Sequence, residues 1–169
     1  MVMERIVHTI DPVFDQNSRI LILGSLPSPA SRSFGFYYGH PQNIFWPLLA
    51  SLLAVPEPRP DIASRREFAL SHKIALWDVL ASADIVGAAD SSIQKPLAND
   101  LGPILAAADI RAIFTTGKAA HRYYKQLIEP QTGRPAIYLP STSPANRAAQ
   151  KQAGYQQAWQ QILLYLPAD

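Results

Sequence analysis

Arg19-Ile20-Leu21-Ile22-Leu23-Gly24 (RILILG) is apolar at every position between its charged start and its closing glycine. A strand with one wet face alternates apolar with polar residues. A run without alternation reads as a strand covered on both faces, as in a parallel sheet. Ile74–Trp77 (IALW), Ala112–Thr115 (AIFT) and Ala136–Leu139 (AIYL) carry the same signature. The stretches between them read as helices. Asn43–Ala54 (NIFWPLLASLLA) has a polar start, helical apolar spacing, and Pro47 near the first turn, where proline is tolerated. Ser64–Ser71, Asn99–Ala108 and Lys118–Leu127 form shorter helices, and Ala148–Leu166 a longer one at the C-terminal end. This alternation argues for an open α/β sandwich. Ligands of such sheets bind outside the carboxyl ends of the strands. The loops after Gly24, Trp77, Thr116 and Leu139 are therefore expected to line the site.

The chain has 169 residues, of which 48% are hydrophobic, a length that fits one domain spanning 1–169. Fifteen prolines mark loops and helix starts, and Pro56, Pro58 and Pro60 read as an extended connector. The absence of cysteine excludes disulfides, thiolate metal sites and a cysteine nucleophile, and fits a reducing cytoplasm. No apolar stretch approaches the ~20 residues needed to span a bilayer, and the start lacks the layout of a signal peptide. The expectation is a cytoplasmic protein with no membrane partner.

The formal charge of +2 hides an asymmetry. Residues 1–109 hold eight Lys/Arg and eleven Asp/Glu, whereas residues 110–168 hold seven Lys/Arg and one acid, Glu129. A one-sided positive field suits an anionic partner such as nucleic acid; a solvated basic face is the plainer alternative.

No Walker phosphate loop, dinucleotide-binding glycine fingerprint or G-x-S-x-G elbow is present. His8, His40, His72 and His121 lack metal-ligand spacing, so a zinc site is not expected. Three stretches carry the chemistry. Gly24-Ser25-Leu26-Pro27-Ser28-Pro29 follows the first strand; its glycine admits close backbone approach and its prolines stiffen the turn. Phe36–Trp46 places five aromatic residues in eleven positions among Gly39, His40, Gln42 and Asn43. Aromatic faces stack on bases while amides read their edges, so Tyr37, Tyr38 and Asn43 suit a pocket for a flat heterocycle. Trp46 reads as helix core. Leu139–Arg147 (LPSTSPANR) gathers hydroxyls, prolines, an amide and a cation in one loop, able to grip phosphate or press a wedge toward a duplex. By itself it reads as a helix start capped by Ser143 or Asn146. Lys118, after Thr115-Thr116-Gly117, sits where a helix start favours an anion.

These pieces, in this order, resemble the uracil-DNA glycosylase superfamily over nearly the whole chain, closest to its hypoxanthine-DNA glycosylase branch, the DNA-deoxyinosine glycosylases. Tyr37–Trp46 (YYGHPQNIFW) is the most specific element. Leu23–Pro29 (LGSLPSP), Ala75–Leu80 (ALWDVL), Phe114–Ala120 (FTTGKAA) and Leu139–Asn146 (LPSTSPAN) support it. The resemblance implies a three-layer α/β/α sandwich around a four-stranded parallel sheet. It also implies a monofunctional enzyme, without metal or cofactor, that flips a deaminated base out of DNA and hydrolyses its N-glycosidic bond. Two polar groups of the uracil enzymes are missing. The water-positioning Asp or Asn of the first loop corresponds to Leu26, and the histidine of the second loop to Ser141. In the hypoxanthine branch the catalytic residue is the Asn of the HPQN segment, here Asn43.

The resemblance implies that Asn43 holds a water against the anomeric carbon and that Tyr37 or Tyr38 stacks on the base. Gly24, Ser25, Leu26, Pro27, His40, Trp77 and Ser141 are expected to complete the base pocket, and Ser28, Lys118, Ser143, Pro144, Ala145, Asn146 and Arg147 to contact the DNA. The protein is expected to act as a monomer. Uracil, xanthine or mismatched thymine are alternative substrates. A non-catalytic nucleotide- or damaged-DNA-binding module and a small-metabolite hydrolase using Ser25 or Ser141 with His40 are the readings from other classes. All of this requires Asn43 to share a crevice with the Gly24–Pro29 turn.

Overall fold

A computed structural model describes residues 2–167 of the chain. In chain order the elements are β1 (Met3–Val7), β2 (Ile20–Gly24), α1 (Pro29–Phe34), α2 (Phe45–Leu53), α3 (Ile62–Ser71), β3 (Ile74–Asp78), β4 (Leu80–Val86) and β5 (Ala89–Ala98). They continue as α4 (Gly102–Ala107), β6 (Ala112–Thr116), α5 (Lys118–Tyr123), a π-helical turn (Tyr124–Ile128), α6 (Glu129–Thr132), β7 (Ala136–Leu139), a 3₁₀ turn (Pro144–Asn146), α7 (Arg147–Gln150), α8 (Tyr155–Gln160) and a second 3₁₀ stretch (Gln161–Tyr165).

The four apolar runs form one parallel sheet in the order β3-β2-β6-β7. Successive strand residues face opposite sides, and both sides of β2 are covered. Ile20 and Ile22 join Leu76 and Phe114 in a layer filled by Phe45 and Trp46 of α2, Phe68 of α3 and Trp159 of α8. Leu21 and Leu23 join Ala75 and Ile113 in the opposite layer, with Ile104 of α4, Tyr123 of α5 and Tyr124 and Ile128 of the π turn. All of β2 is buried, which accounts for its unbroken apolar character. The expected α/β/α arrangement is present.

Four local features differ from the sequence-based expectation. First, β1, β4 and β5 form a second, antiparallel sheet in the order β1-β4-β5. β1 and β5 are largely exposed edge strands, so they lack the apolar signature of buried strands. Second, α1 is a further helix, capped by Ser28, whose hydroxyl accepts the Ser31 N–H. Third, α3 begins ahead of Ser64, because the Asp61 carboxylate accepts the Ser64 N–H at 2.7 Å. Fourth, no single helix spans 148–166. Gly154 adopts φ 92°, a left-handed conformation that separates α7 from α8. Similarly, α5 gives way to the π turn after Tyr123. Among the described residues no helix is long and apolar enough to cross a membrane.

Trp46 ties the aromatic layer together. It is fully buried, lies parallel to Phe36 at 6.1 Å, meets Phe45 and Phe68 edge-on, and donates its indole N–H to the Tyr37 carbonyl at 3.2 Å. Trp46→Ala is expected to lower unfolding stability by about 3–5 kcal/mol, read as a fall in the urea midpoint with an unchanged slope.

Candidate active site

The ends of β2, β3 and β6 and the loop after β7 open into one cavity of about 510 Å³, within the size range of small-molecule sites. Residues 24–31 form one wall. Gly24 and Ser25 turn their carbonyls inward to accept Val79 N–H at 2.7 Å and Leu80 N–H at 3.0 Å. Pro27 and Pro29 have no N–H to offer, and Arg32 fixes the Pro27 carbonyl at 2.9 Å. The amides of Leu26 and Ser28 meet no acceptor among the described residues. This wall is therefore a stiff turn with unspent donors beside the cavity.

Tyr37, Tyr38, His40 and Asn43 supply the second wall. Tyr37 is almost completely buried, and its hydroxyl donates to the carbonyls of Ile10 and Asp11. Tyr38 is half-buried in a left-handed conformation, φ 54°. Phe45 covers one of its faces at 3.7 Å, nearly parallel, leaving a single face for a ligand. Burial raises the pKa of both phenols and the charge of Asp78 adds to the effect, so both stay neutral at physiological pH. The Asn43 carbonyl oxygen accepts the Phe45 N–H at 2.9 Å in an Asx turn leading into α2. That bond fixes the amide orientation: among the described residues the NH₂ end has no partner, and the oxygen keeps one lone pair.

The loop after β7 is the third wall, contributing Ser141–Ala145. The Ser141 carbonyl accepts from Asn146 at 3.0 Å, Gln150 at 3.3 Å and Tyr155 at 2.9 Å, and Trp159 holds the Pro140 carbonyl at 3.0 Å. Burial pushes the Tyr155 phenol up to about 12, so it remains a donor. The Thr142 carbonyl accepts Ile44 N–H at 3.2 Å, joining this loop to the residue after Asn43. Ser143, rather than Asn146, provides the side-chain cap of the 3₁₀ turn.

The fourth wall has no counterpart in the sequence-based list. It is the β4–β5 hairpin, through Ile85, Gly87, Ala88 and Asp90. Asp90 accepts the Ser25 hydroxyl at 3.1 Å. Loss of hydration raises its carboxyl above the usual range, against the Ser25 hydrogen bond and with help from Asp78; the exposure of much of the residue limits the effect. Asp78, at the end of β3, is the second acid facing the cavity. Its Oδ2 pairs with His8 Nε2 at 2.7 Å, both side chains being nearly buried. The sequence signal for Asp78 was an acid closing an apolar strand run in ALWDVL; the hairpin had none.

The structure thus gathers Gly24–Ser28, Tyr37, Tyr38, His40, Asn43 and Ser141–Ala145 around one cavity. Trp77 does not line it. Neighbouring strand residues point to opposite faces, and at this strand end Asp78 reaches the cavity while Trp77 packs edge-on near His8. Lys118, Asn146 and Arg147 also lie outside the lining. Lys118 is exposed at the start of α5, and Arg147 donates to the Gln42 carbonyl at 3.3 Å. The serine-hydrolase reading fails on geometry. Ser25 bonds Asp90, Ser141 Oγ accepts Ser143 N–H, and His40 Nδ1 accepts Gln42 N–H, so no serine meets a histidine at this site. Among the described residues no three acids or histidines cluster as metal ligands.

A sequence profile of the Uracil DNA glycosylase superfamily matches residues 12–164. A protein of Methanosarcina barkeri (strain Fusaro) named "Hypoxanthine DNA glycosylase" is 35% identical over 141 residues, covering 83% of this chain and 88% of the relative. Its namesake from Methanosarcina acetivorans is 37% identical over 142 residues, covering 82% and 87%. The solution NMR structure of an M. acetivorans protein, provisionally described as a uracil DNA glycosylase, superposes with a TM-score of 0.75 at 30% identity, over 92% of this chain and 94% of that one.

A Cβ at Gly24 would lie 2.6 Å from Asp78 Oδ1. Gly24→Ala is expected to push the carboxylate off His8 and cost about 1–3 kcal/mol of stability. Chemical denaturation reads the cost, and a shift of the His8 ring resonances reads the displacement.

Proposed function

The chain belongs to the uracil DNA glycosylase superfamily, and from that membership we propose that it excises hypoxanthine from deoxyinosine in DNA. It is a DNA glycosylase of base-excision repair, acting on deaminated bases. The observation that carries the choice of hypoxanthine is the identity of 35% and 37%, over more than four-fifths of the chain, with relatives named for that base. The cavity supports it: one open aromatic face at Tyr38, edge-reading amide and hydroxyl groups, and room for a flipped nucleoside.

The reaction follows from the groups present. Extrusion of the base costs a few kcal/mol of unstacking, least where the pair is already a mismatch. Tyr38 takes the base on its open face. The Leu26 and Ser28 amides stand ready to donate to the purine as it departs with the bonding electrons. Asn43 cannot remove a proton at neutral pH. Its fixed amide holds a water against the anomeric carbon through the NH₂ group and the spare lone pair on oxygen. The rim of Ser28, Ser143, Pro144, Ala145, Asn146 and Arg147 faces the strand. Lys118 and the other exposed cations of the C-terminal third supply a grip independent of sequence. On this reading the chain is one domain, acting as a cytoplasmic monomer.

Duplexes each carrying one deoxyinosine, deoxyuridine, deoxyxanthosine or mismatched thymidine, treated with the protein and then alkali, test the reading. Deoxyinosine is expected to be cut fastest. Binding without base release on every arm would leave only a damage-binding module. Asn43→Ala is expected to slow single-turnover cleavage of the preferred substrate by about 10²–10³-fold, the range for losing one preorganised polar contact. An unchanged rate removes Asn43 from the chemistry.

A further inference from the structure

We propose that Asp78, at the end of β3 and positioned by His8, is the carboxylate of the hydrolytic step. The proposal rests on the glycosylase reading above. The position that matches the Asp or Asn of the uracil enzymes' first loop is Leu26 here, whose side chain has no polar atom. Parallel pairing sets Gly24, at the end of β2, opposite Asp78, at the end of β3. A carboxylate therefore returns to the same crevice one strand over.

The local geometry keeps it there. Gly24 has no side chain, and Asp78 Oδ1 occupies the space that one would fill. Oδ2 is taken by His8 Nε2 at 2.7 Å, whereas no hydrogen bond among the described residues engages Oδ1. Nor is Oδ1 one of the sealed, unpartnered side-chain atoms, which among the described residues are Arg65 Nε and Trp77 Nε1. The carboxylate thus has one oxygen anchored by His8 and one without a hydrogen bond among the described residues, on a side chain that lines the cavity. Asn99 fixes the backbone beneath it by donating to the carbonyls of Asp78 and Leu80.

The pair is not needed to hold β1 against the sheet. His8 N–H already bonds the Ala81 carbonyl at 2.7 Å, and Val13 and Leu76 exchange two backbone bonds at 2.9 Å. Buried pairs of this kind contribute little to stability in any case. The cavity lining contains Asp78 and Asp90 and no lysine or arginine. Such a site suits a reaction whose sugar becomes cationic.

In the proposed step the C1′–N9 bond breaks and its electron pair leaves on the purine. The Asp78 charge stabilises the oxocarbenium sugar. The water held by Asn43 forms the new C1′–O bond and gives one proton to Asp78 Oδ1. The purine anion takes a proton from solvent, and Asp78 returns its own to solvent. The titratable groups around Asp78 are His8, Tyr37, Tyr38 and Asp90. The phenols remain neutral.

Asp78→Asn keeps the shape and removes the proton acceptor. The test compares single-turnover cleavage of a deoxyinosine duplex with affinity for the same duplex bearing an uncleavable 2′-fluoro-deoxyinosine. The expected result is a rate loss of about 10²–10⁴-fold, the span of a lost acid–base group, with affinity unchanged and the acidic limb of the pH–rate profile gone. His8→Gln leaves Asp78 in place and is expected to lower the rate by about tenfold and move that limb; it serves as the second variant if Asp78→Asn does not fold. Cleavage by Asp78→Asn at the parent rate overturns the proposal. So does an equal loss of rate and affinity, or, should only His8→Gln fold, an unchanged rate and profile. A parent protein inert on every damaged base overturns the glycosylase reading and this proposal together, whereas an active parent with an active Asp78→Asn overturns this proposal alone.

Discussion

Strand β2 is sealed from water on both faces, and the site depends on where that seal ends. Its alternate residues feed two separate apolar layers, so the strand cannot slide by one residue without exchanging its faces. With the register fixed, Gly24 must fall at the strand's end, against Asp78 on one neighbour and close to Thr116 on the other. The cavity is the gap left where three packed strands stop together. Its position is thus a by-product of core packing rather than of the polar residues that line it.

The polar chemistry is distributed accordingly. The turn after β2 contributes free amides, the aromatic stretch before α2 contributes a ring face and an oriented amide, and the loop after β7 contributes hydroxyls. Several of these groups are held by bonds to the protein itself: Tyr37 to Ile10 and Asp11, Asn43 to Phe45, Ser141 to three separate donors. Groups restrained in this way lose little entropy when a nucleoside enters, the condition for preorganised stabilisation of developing charge.

The sheet was legible because burial on two faces writes an unbroken apolar run, and all four runs became its strands. The motif residues around Asn43 were legible because aromatic and amide groups crowd a short stretch. The antiparallel sheet was not: β5 contains Asp90, Ser91, Ser92, Gln94 and Lys95, a composition that reads as loop when one face is wet and the strand bends through irregular pairing with β4. With it went the hairpin wall and Asp90. The break at Gly154 was hidden because Ala148–Leu166 keeps helical composition on both sides of one glycine. Trp77 was misplaced by a single position, since successive strand residues face opposite sides and Asp78 is the one that lines the cavity.

The bracing of the loop after β7 has a mechanical consequence. Its carbonyls are gripped by Gln150, Tyr155 and Trp159, three side chains from the last twenty residues, and Trp159 is itself rooted in the main aromatic layer. The tail of the chain therefore works as a buttress. A load applied at the Ser143–Ala145 tip passes through the Pro140–Trp159 bond into the centre of the protein, so the tip and the aromatic layer move as one body.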